Sequence, residues 1–301
     1  MDIDVLDEIL TSVAAREVLP RFGRLSAAEI MEKTSAYDLV TVADREAEKA
    51  ITELILARWP DAVIVGEETA GTEDDIRARL GADEVVVIDP VDGTKNYAAG
   101  LPLFAVMAGV LRRGRIVAGL IHDPVTRTSA VAEEGSGAWL RRPGEQARRL
   151  RVADPVPVAD MEAVMSRRIG DDPYSRAIEA NLRKLARHPW FRCGGHEYRL
   201  AASGEVHALC YQRLMPWDHV PGWLLHREAG GYSAHFDGTG YDPARMAGGL
   251  LCAPDEASWQ EIHRDVLSAS RLPAPGRTGQ RPGPAGGAPG GGRLDRVAGA
   301  L

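Results

Sequence analysis

The chain opens on a helical period. Over residues 3–19, Ile3, Leu6, Ile9, Leu10 and Val13 recur at three- and four-residue steps, with Asp2 and Asp4 at the start and Pro20 at the close. That spacing predicts an amphipathic helix with its acids at the positive end. Ala47, Ile51, Leu54 and Ile55 repeat the pattern and predict a second helix from about Ala43 to Trp59. The period then shortens. Ala62–Gly66, Glu84–Asp89, Leu103–Leu111, Ile116–His122 and Ser129–Glu133 are apolar or alternating runs bounded by Gly, Pro or Asp, which reads as strands. Arg113-Gly114-Arg115 reads as the turn of a hairpin.

An Arg-rich, Pro-containing stretch at 141–158 is expected to connect two halves, 1–150 and 151–270. The second half alternates: strand 163–166, helices 173–188 and 196–203, strand 206–210, helix 219–229, strands 231–235 and 248–252, helix 255–270. Such alternation predicts α/β layers. Residues 273–292 hold eight Gly and five Pro without apolar periodicity. They cannot bury enough surface to offset their ordering entropy, so 271–301 is expected to be a disordered tail.

Composition narrows the class. At 301 residues, with 45% hydrophobic and 26% charged side chains, the chain can bury a large core without staples. With 36 basic against 43 acidic residues the net charge is −7, so a nucleic-acid partner is not expected. Cys193, Cys210 and Cys252 are odd in number and lack C-x-x-C spacing, which favours a reducing compartment. No basic start with an apolar run, and no stretch near ~18 apolar residues, is present. A cytoplasmic protein without a membrane partner is expected.

Candidate chemistry gathers at Val85-Val86-Val87-Ile88-Asp89-Pro90-Val91-Asp92-Gly93-Thr94. A buried strand ends in an aspartate, Pro90 breaks the ladder, and a second aspartate follows three residues on. Both carboxylates can leave one strand end with the Val91 carbonyl between them. Crowded oxygens of this kind repel unless a hard cation such as Mg²⁺ neutralises them. Gly93 permits close backbone approach, and a helical turn opening at Thr94 would offer free N–H groups to a phosphate. Other acids fall at element ends. Gly66-Glu67-Glu68 closes a strand, Pro216-Trp217-Asp218 precedes a helix, and Thr41-Val42-Ala43-Asp44 precedes another. Taken singly, Thr41, Asp44 and Asp218 also suit helix caps, and Glu67 and Glu68 a solvated turn.

With these motifs in order, the sequence resembles the inositol monophosphatase family of Mg²⁺-dependent, lithium-sensitive phosphatases. The resemblance rests on Lys33 through Asp44 (K-T-S-A-Y-D-L-V-T-V-A-D), Gly66-Glu67-Glu68, Asp89 through Thr94, Trp217-Asp218 and Glu228-Ala229-Gly230-Gly231. It implies an inositol monophosphatase/fructose-bisphosphatase-like α/β sandwich of alternating helix and sheet layers, with the site between the halves. It also implies a phosphoric monoester hydrolase, a small phosphate-monoester substrate, two or three Mg²⁺ ions and a homodimer. Glu67, Asp89 and the Val91 carbonyl would hold one ion; Asp89, Asp92 and Asp218 would hold the second. Thr94 and Asp44, with Glu67, would serve the attacking water, and the Gly93 and Thr94 N–H groups the phosphate. Lys33 and Glu68 would support them. Ser166, Gly194, Tyr211 and Arg213, with Asp92, would shape the alcohol side.

The pattern departs from the family in two places. Arg192-Cys193-Gly194-Gly195-His196 stands where Gly-Ser or Gly-Thr is usual, and Tyr211 stands seven residues before Asp218, where an acid is usual. Weak preference for inositol phosphate is therefore expected. The alternatives within the superfamily are a 3′(2′),5′-bisphosphate nucleotidase, a histidinol-phosphatase and a sugar phosphatase. An alternative of another class is a non-catalytic regulatory or RNA-machinery partner.

Overall fold

A computed structural model describes residues 1–35, 38–166 and 172–268. The expected tail at 271–301 lies outside them. The first apolar stripe forms α1 (Ile3–Val13), which runs on through a π-helical turn at Ala14–Val18. Asp2 caps it, accepting the Asp4 N–H at 2.9 Å. The second stripe forms α2 (Val42–Arg58). Between them lies a hairpin, β1 (Ile30–Ser35) with β2 (Asp38–Thr41), that periodicity did not disclose.

The run of strands builds one seven-stranded sheet in chain order. It comprises β3 (Val63–Gly66), β4 (Glu84–Asp92), β5 (Ala105–Arg112), β6 (Arg115–Asp123), β7 (Thr128–Glu133), β8 (Gly137–Arg141) and β9 (Arg148–Arg149). β3 runs parallel to β4, and every other pair is antiparallel. α3 (Glu73–Leu80) and α4 (Thr94–Ala98) flank β4 in sequence. A second sheet holds β10 (Ala163–Met165), β11 (Ala208–Tyr211), β12 (Tyr232–His235) and β13 (Leu250–Ala253) in the order β10-β11-β13-β12. Its helices are α5 (Pro173–Asn181), α6 (Gly194–Ala202), α7 (Pro216–Glu228) and α8 (Glu256–Ile262).

Alternation along the strands sets the layers. Val86 and Ile88 of β4 pack with α1 and α2, whereas Val85 and Val87 face the core that contains α6 and α7. In the second sheet Leu209, Leu250 and Cys252 share that α6–α7 core, and Ala208, Cys210 and Leu251 pack with α5 and α8. Period-two side chains on sheets covered from both sides therefore give five layers, helix–sheet–helix–sheet–helix. α7 lies hard against the first sheet: a Cβ on Gly109 would fall 2.6 Å from Val220 Cγ1, and one on Gly119 would fall 2.5 Å from the Pro221 carbonyl. Glycine at these two positions lets the α7 backbone approach the strands.

Three expectations need correction, and one helix was not foreseen. The 141–158 stretch is not all connection, because β8 reaches Arg141 and β9 adds a short exposed edge. Their Arg-rich composition suits an edge strand and hid the pairing. α3 was missed because only Ile76 and Leu80 of its eight residues are buried. The helix expected at 173–188 leaves α-helical geometry after Asn181. Finally, β4 does not stop at Asp89. It continues to Asp92 through a register shift, and Pro90, which donates no ladder hydrogen bond, sits in that irregularity.

Candidate active site

Parallel pairing of β3 and β4 sets Gly66 opposite Ile88, and the Glu67 N–H donates to the Ile88 carbonyl at 3.1 Å. Glu67 and Asp89 thus emerge side by side where the parallel pairing of β3 and β4 ends. Past Asp89, three steps on β4 oppose two on β5, from Asp89↔Met107 to Asp92↔Ala105. The bulge turns Asp92 toward the α6 side. The Val91 N–H donates to Asp89 Oδ1 at 3.1 Å and fixes that carboxylate's rotation.

Gly93 follows at φ +87°, a left-handed conformation, and a Cβ there would come within 2.8 Å of the Leu103 carbonyl. Only glycine fits without strain. The chain then turns into α4, and Thr94 Oγ1 lies 3.0 Å from Asp44 Oδ1 and 3.0 Å from the Val91 carbonyl. Asp44 is in the first turn of α2, where Thr41 N–H donates to its Oδ2 at 2.8 Å. Thr41 and Asp44 form a reciprocal capping box, so the cap and the contact with Thr94 coexist. Burial pushes the Asp44 carboxyl up to about 6, with the Glu67 charge adding to the rise.

Asp218 is not an N-cap, as it could have been from sequence. Met215 occupies the cap, Pro216 opens α7, and Asp218 stands in the first helical turn. Asp92 accepts from the Gly194 N–H at 3.1 Å, the Gly195 N–H at 2.6 Å and the Cys193 thiol at 3.0 Å. Lys33 Nζ bridges Glu67 at 2.9 Å and Glu68. Glu68 is consequently no solvated turn residue. Burial pushes its carboxyl up to about 7, against the pull of Lys33.

The charges at this strand end are poorly balanced. Burial, followed by the charges of Glu67, Asp92 and Asp218, raises the Asp89 carboxyl well above the ordinary range. Burial and the charges of Glu67 and Asp92 do the same to Asp218, while Arg213 and a hydrogen bond with Asp89 oppose the rise. Buried like charges raise one another in this way when nothing neutralises them. Among the described residues no three His, Cys, Asp or Glu side chains close into a finished ligand cluster. Lys33 and the α6 N-terminus instead engage Glu67 and Asp92. The donor set is oxygen only, the chemistry of a hard cation. Lys33, Glu67, Glu68, Arg213, Trp217 and Asp218 are among the residues lining a cleft of about 370 Å³. Asp89 and Asp92 are buried and do not line it.

Among the residues expected to shape the alcohol side, Gly194 lies near Asp92 and the start of α7: a Cβ there would lie 3.4 Å from the Asp218 carbonyl and 3.9 Å from Asp92 Oδ2. Ser166 follows β10, its N–H donating to the Cys210 carbonyl at 2.9 Å. Arg213 is exposed at the cleft. Tyr211 does not offer its hydroxyl as expected. It is 6% exposed, and its O–H donates to Glu197 Oε2 at 2.9 Å. Sequence reasoning missed Glu197, Cys193 as a donor, and Glu48. Glu48 accepts from the Glu68 N–H at 2.7 Å and Thr69 Oγ1 at 2.6 Å, and so holds the turn that carries Glu67. Its place four residues after Asp44, on the same face of α2, was a usable signal. Nothing local marked Glu197.

A family model described as the inositol monophosphatase family matches residues 3–271. The chain is 32% identical over 266 residues to an inositol-1-monophosphatase of Rhizobium meliloti, covering 85% of this chain and 94% of that protein. It is 30% identical over 258 residues to the Nus factor SuhB of Haemophilus influenzae, covering 83% and 91% respectively. The solved structure of a Thermotoga maritima IMPase superposes with a TM-score of 0.73 at 25% identity, covering 89% of this chain and 95% of that one.

Proposed function

The chain belongs to the inositol monophosphatase family and is a phosphoric monoester hydrolase, and we propose that it acts on small phosphate monoesters with Mg²⁺ as cofactor. Inositol 1-phosphate or a related ester is the substrate in this reading. One observation carries it: Glu67 and Asp89 emerge side by side where the β3–β4 pairing ends, near enough to Asp92 and Asp218 that the carboxyls of Asp89, Asp92 and Asp218 are raised. Their oxygen-only donors suit Mg²⁺. Glu67, Asp89 and the Val91 carbonyl would hold one ion, and Asp89, Asp92 and Asp218 a second. When bound, such ions lower the pKa of water and take up charge on a departing alkoxide.

The chain's own groups do the rest. Thr94 gives its proton to Asp44 Oδ1, which leaves a lone pair to accept from, and so orient, the attacking water. Asp44, buried and raised to about 6, is the acceptor at the end of that relay, with Glu67 beside it. The Gly93 and Thr94 N–H groups hold phosphate oxygens, and Lys33 keeps Glu67 and Glu68 in place. Ser166, Gly194 and Arg213, with Asp92, face the alcohol. The site lies between an N-terminal half, 1–150, and a C-terminal half, 151–270, which supplies Asp218. The proposal also includes lithium sensitivity and a homodimer, which rest on the family alone, and a cytoplasmic location, which rests on the cysteine pattern and the lack of a long apolar run. No helix among the described residues is long and apolar enough to cross a membrane.

The similarity to Nus factor SuhB supports a second reading, a non-catalytic regulatory or RNA-machinery partner. Phosphate release from a panel of monoesters, with and without Mg²⁺, separates the two. Turnover that requires Mg²⁺ is expected. No turnover of any ester, with the protein folded, would leave only the binding reading.

A further inference from the structure

We propose that Arg213 is a specificity residue that takes a second anionic group, phosphate or carboxylate, borne on the alcohol portion of the ester. This rests on the hydrolase reading above and narrows its substrate class.

The backbone at Arg213 is fixed from both sides. Its carbonyl accepts from His219 Nε2 at 2.9 Å, and the other ring nitrogen of His219 lies 3.0 Å from the Tyr198 hydroxyl. Next along the chain, Leu214 is fully buried and its N–H donates to the Met246 carbonyl at 3.0 Å. The side chain is treated differently. It is exposed, lines the same cleft as Glu67 and Asp218, and among the described residues has no hydrogen bond or ion pair. A rigid root with an unengaged guanidinium at the mouth of a site is an arrangement that awaits a ligand.

The ligand's charge follows from the neighbours. Lys33 lines the cleft too, but Glu67 and Glu68 already hold it. Arg213 therefore offers positive charge that these acids have not claimed. A neutral polyol gains little from a guanidinium, whereas phosphate and carboxylate match its planar fork with two parallel hydrogen bonds. The hydroxyl of Tyr211 points the same way by its absence from the cleft: Glu197 occupies it, so no acidic acceptor for sugar hydroxyls is presented at that position. The competing role for Arg213 is to offset the charge of Asp218, which it does lower.

Two matched substrate pairs test the assignment and tell the anions apart: fructose 1-phosphate against fructose 1,6-bisphosphate, and glycerol 3-phosphate against 3-phosphoglycerate. Steady-state kinetics are read for the unaltered protein, Arg213→Met and Arg213→Lys at saturating Mg²⁺. The unaltered protein should favour the doubly anionic member of at least one pair at least tenfold in kcat/KM, mostly through KM. Arg213→Met should erase that preference by raising KM for the doubly anionic member more than for its singly anionic partner, and Arg213→Lys should keep part of it. Equal losses on all four esters, accompanied by a shifted Mg²⁺ requirement, would show that Arg213 only balances Asp218 and would overturn the proposal. Turnover without preference in either pair would overturn it too. If none of the esters releases phosphate, the hydrolase reading itself falls and this one with it.

Discussion

Thr94 and Asp44, fifty residues apart, are joined by a 3.0 Å hydrogen bond from Oγ1 to Oδ1. The same hydroxyl lies 3.0 Å from the Val91 carbonyl, so one proton faces two acceptors. With the proton on the Asp44 side, the oxygen of Thr94 is left as an acceptor. If the two residues act on one water, Thr94→Ala and Asp44→Asn should each slow turnover by roughly 10²-fold or more. The double variant should be little worse than either, because groups acting as a unit are not additive. Multiplicative losses in steady-state assays would show that they work separately.

Asp92 combines two duties. In the free protein its carboxylate collects donors from Cys193, Gly194 and Gly195, and in the proposed reaction it faces both ion and substrate. Asp92→Asn should lower phosphate release by about 10²-fold, the usual scale for lost electrostatic stabilisation. Circular dichroism should remain that of a folded protein. Retention of more than about a tenth of the activity at saturating Mg²⁺ would remove Asp92 from the ligand set, since a tenfold loss is only ~1.4 kcal/mol.

Glu197 should make stability depend on pH. Burial, eased by its bond with Tyr211, raises its carboxyl from 4.5 to about 7. Between those values the native state binds the proton more tightly than the unfolded chain, so stability falls as pH rises. The contribution is full below pH 4.5 and lost as pH passes about 7. Glu197→Gln stays neutral throughout, so its melting temperature relative to the unaltered protein should rise between pH 4.5 and pH 8. An equal difference at both pH values would contradict the burial account.

Recognition of inositol should be weak. Tyr211 stands where an acid would accept from sugar hydroxyls, and its own hydroxyl is committed to Glu197. Preference for myo-inositol 1-phosphate over glycerol 2-phosphate should stay below roughly a hundredfold in kcat/KM, or ~2.7 kcal/mol. Tyr211→Phe should leave that ratio unchanged while costing ~1–3 kcal/mol of stability, because Glu197 loses a buried donor. A larger inositol preference, or a ratio that moves with Tyr211→Phe, would place the tyrosine in substrate contact.

Much of the architecture was legible because it is local. Ile3, Leu6 and Leu10 recur at a helical step whatever surrounds them, and Val85 through Ile88 read as a strand buried on both faces. An interruption at Asp89-Pro90 was visible too, since proline cannot donate to a ladder, but it is a bulge within β4 and not its end. Elements with thin apolar signals, β1, β2 and α3, were not. Among the described side chains, none of residues 30–33 is buried, and α3 buries only Ile76 and Leu80, so little pattern is imposed there.

By itself, then, the sequence determined the strands and helices with strong apolar patterns and the acids that stand near their ends. Tertiary structure decided what those acids touch. Cys193 reaches Asp92 across 101 residues of chain, and Lys33 reaches Glu67 across 34. Tyr211 and Glu197 lie only 14 apart, yet one is on β11 and the other on α6. Periodicity reports which face of an element is buried, because burial acts on each element's own backbone geometry. A hydrogen bond between elements depends on how layers stack, here on glycines at 109 and 119 that bring α7 down onto the sheet. That stacking also placed Asp218 over the strand end and left the guanidinium of Arg213 at the cleft.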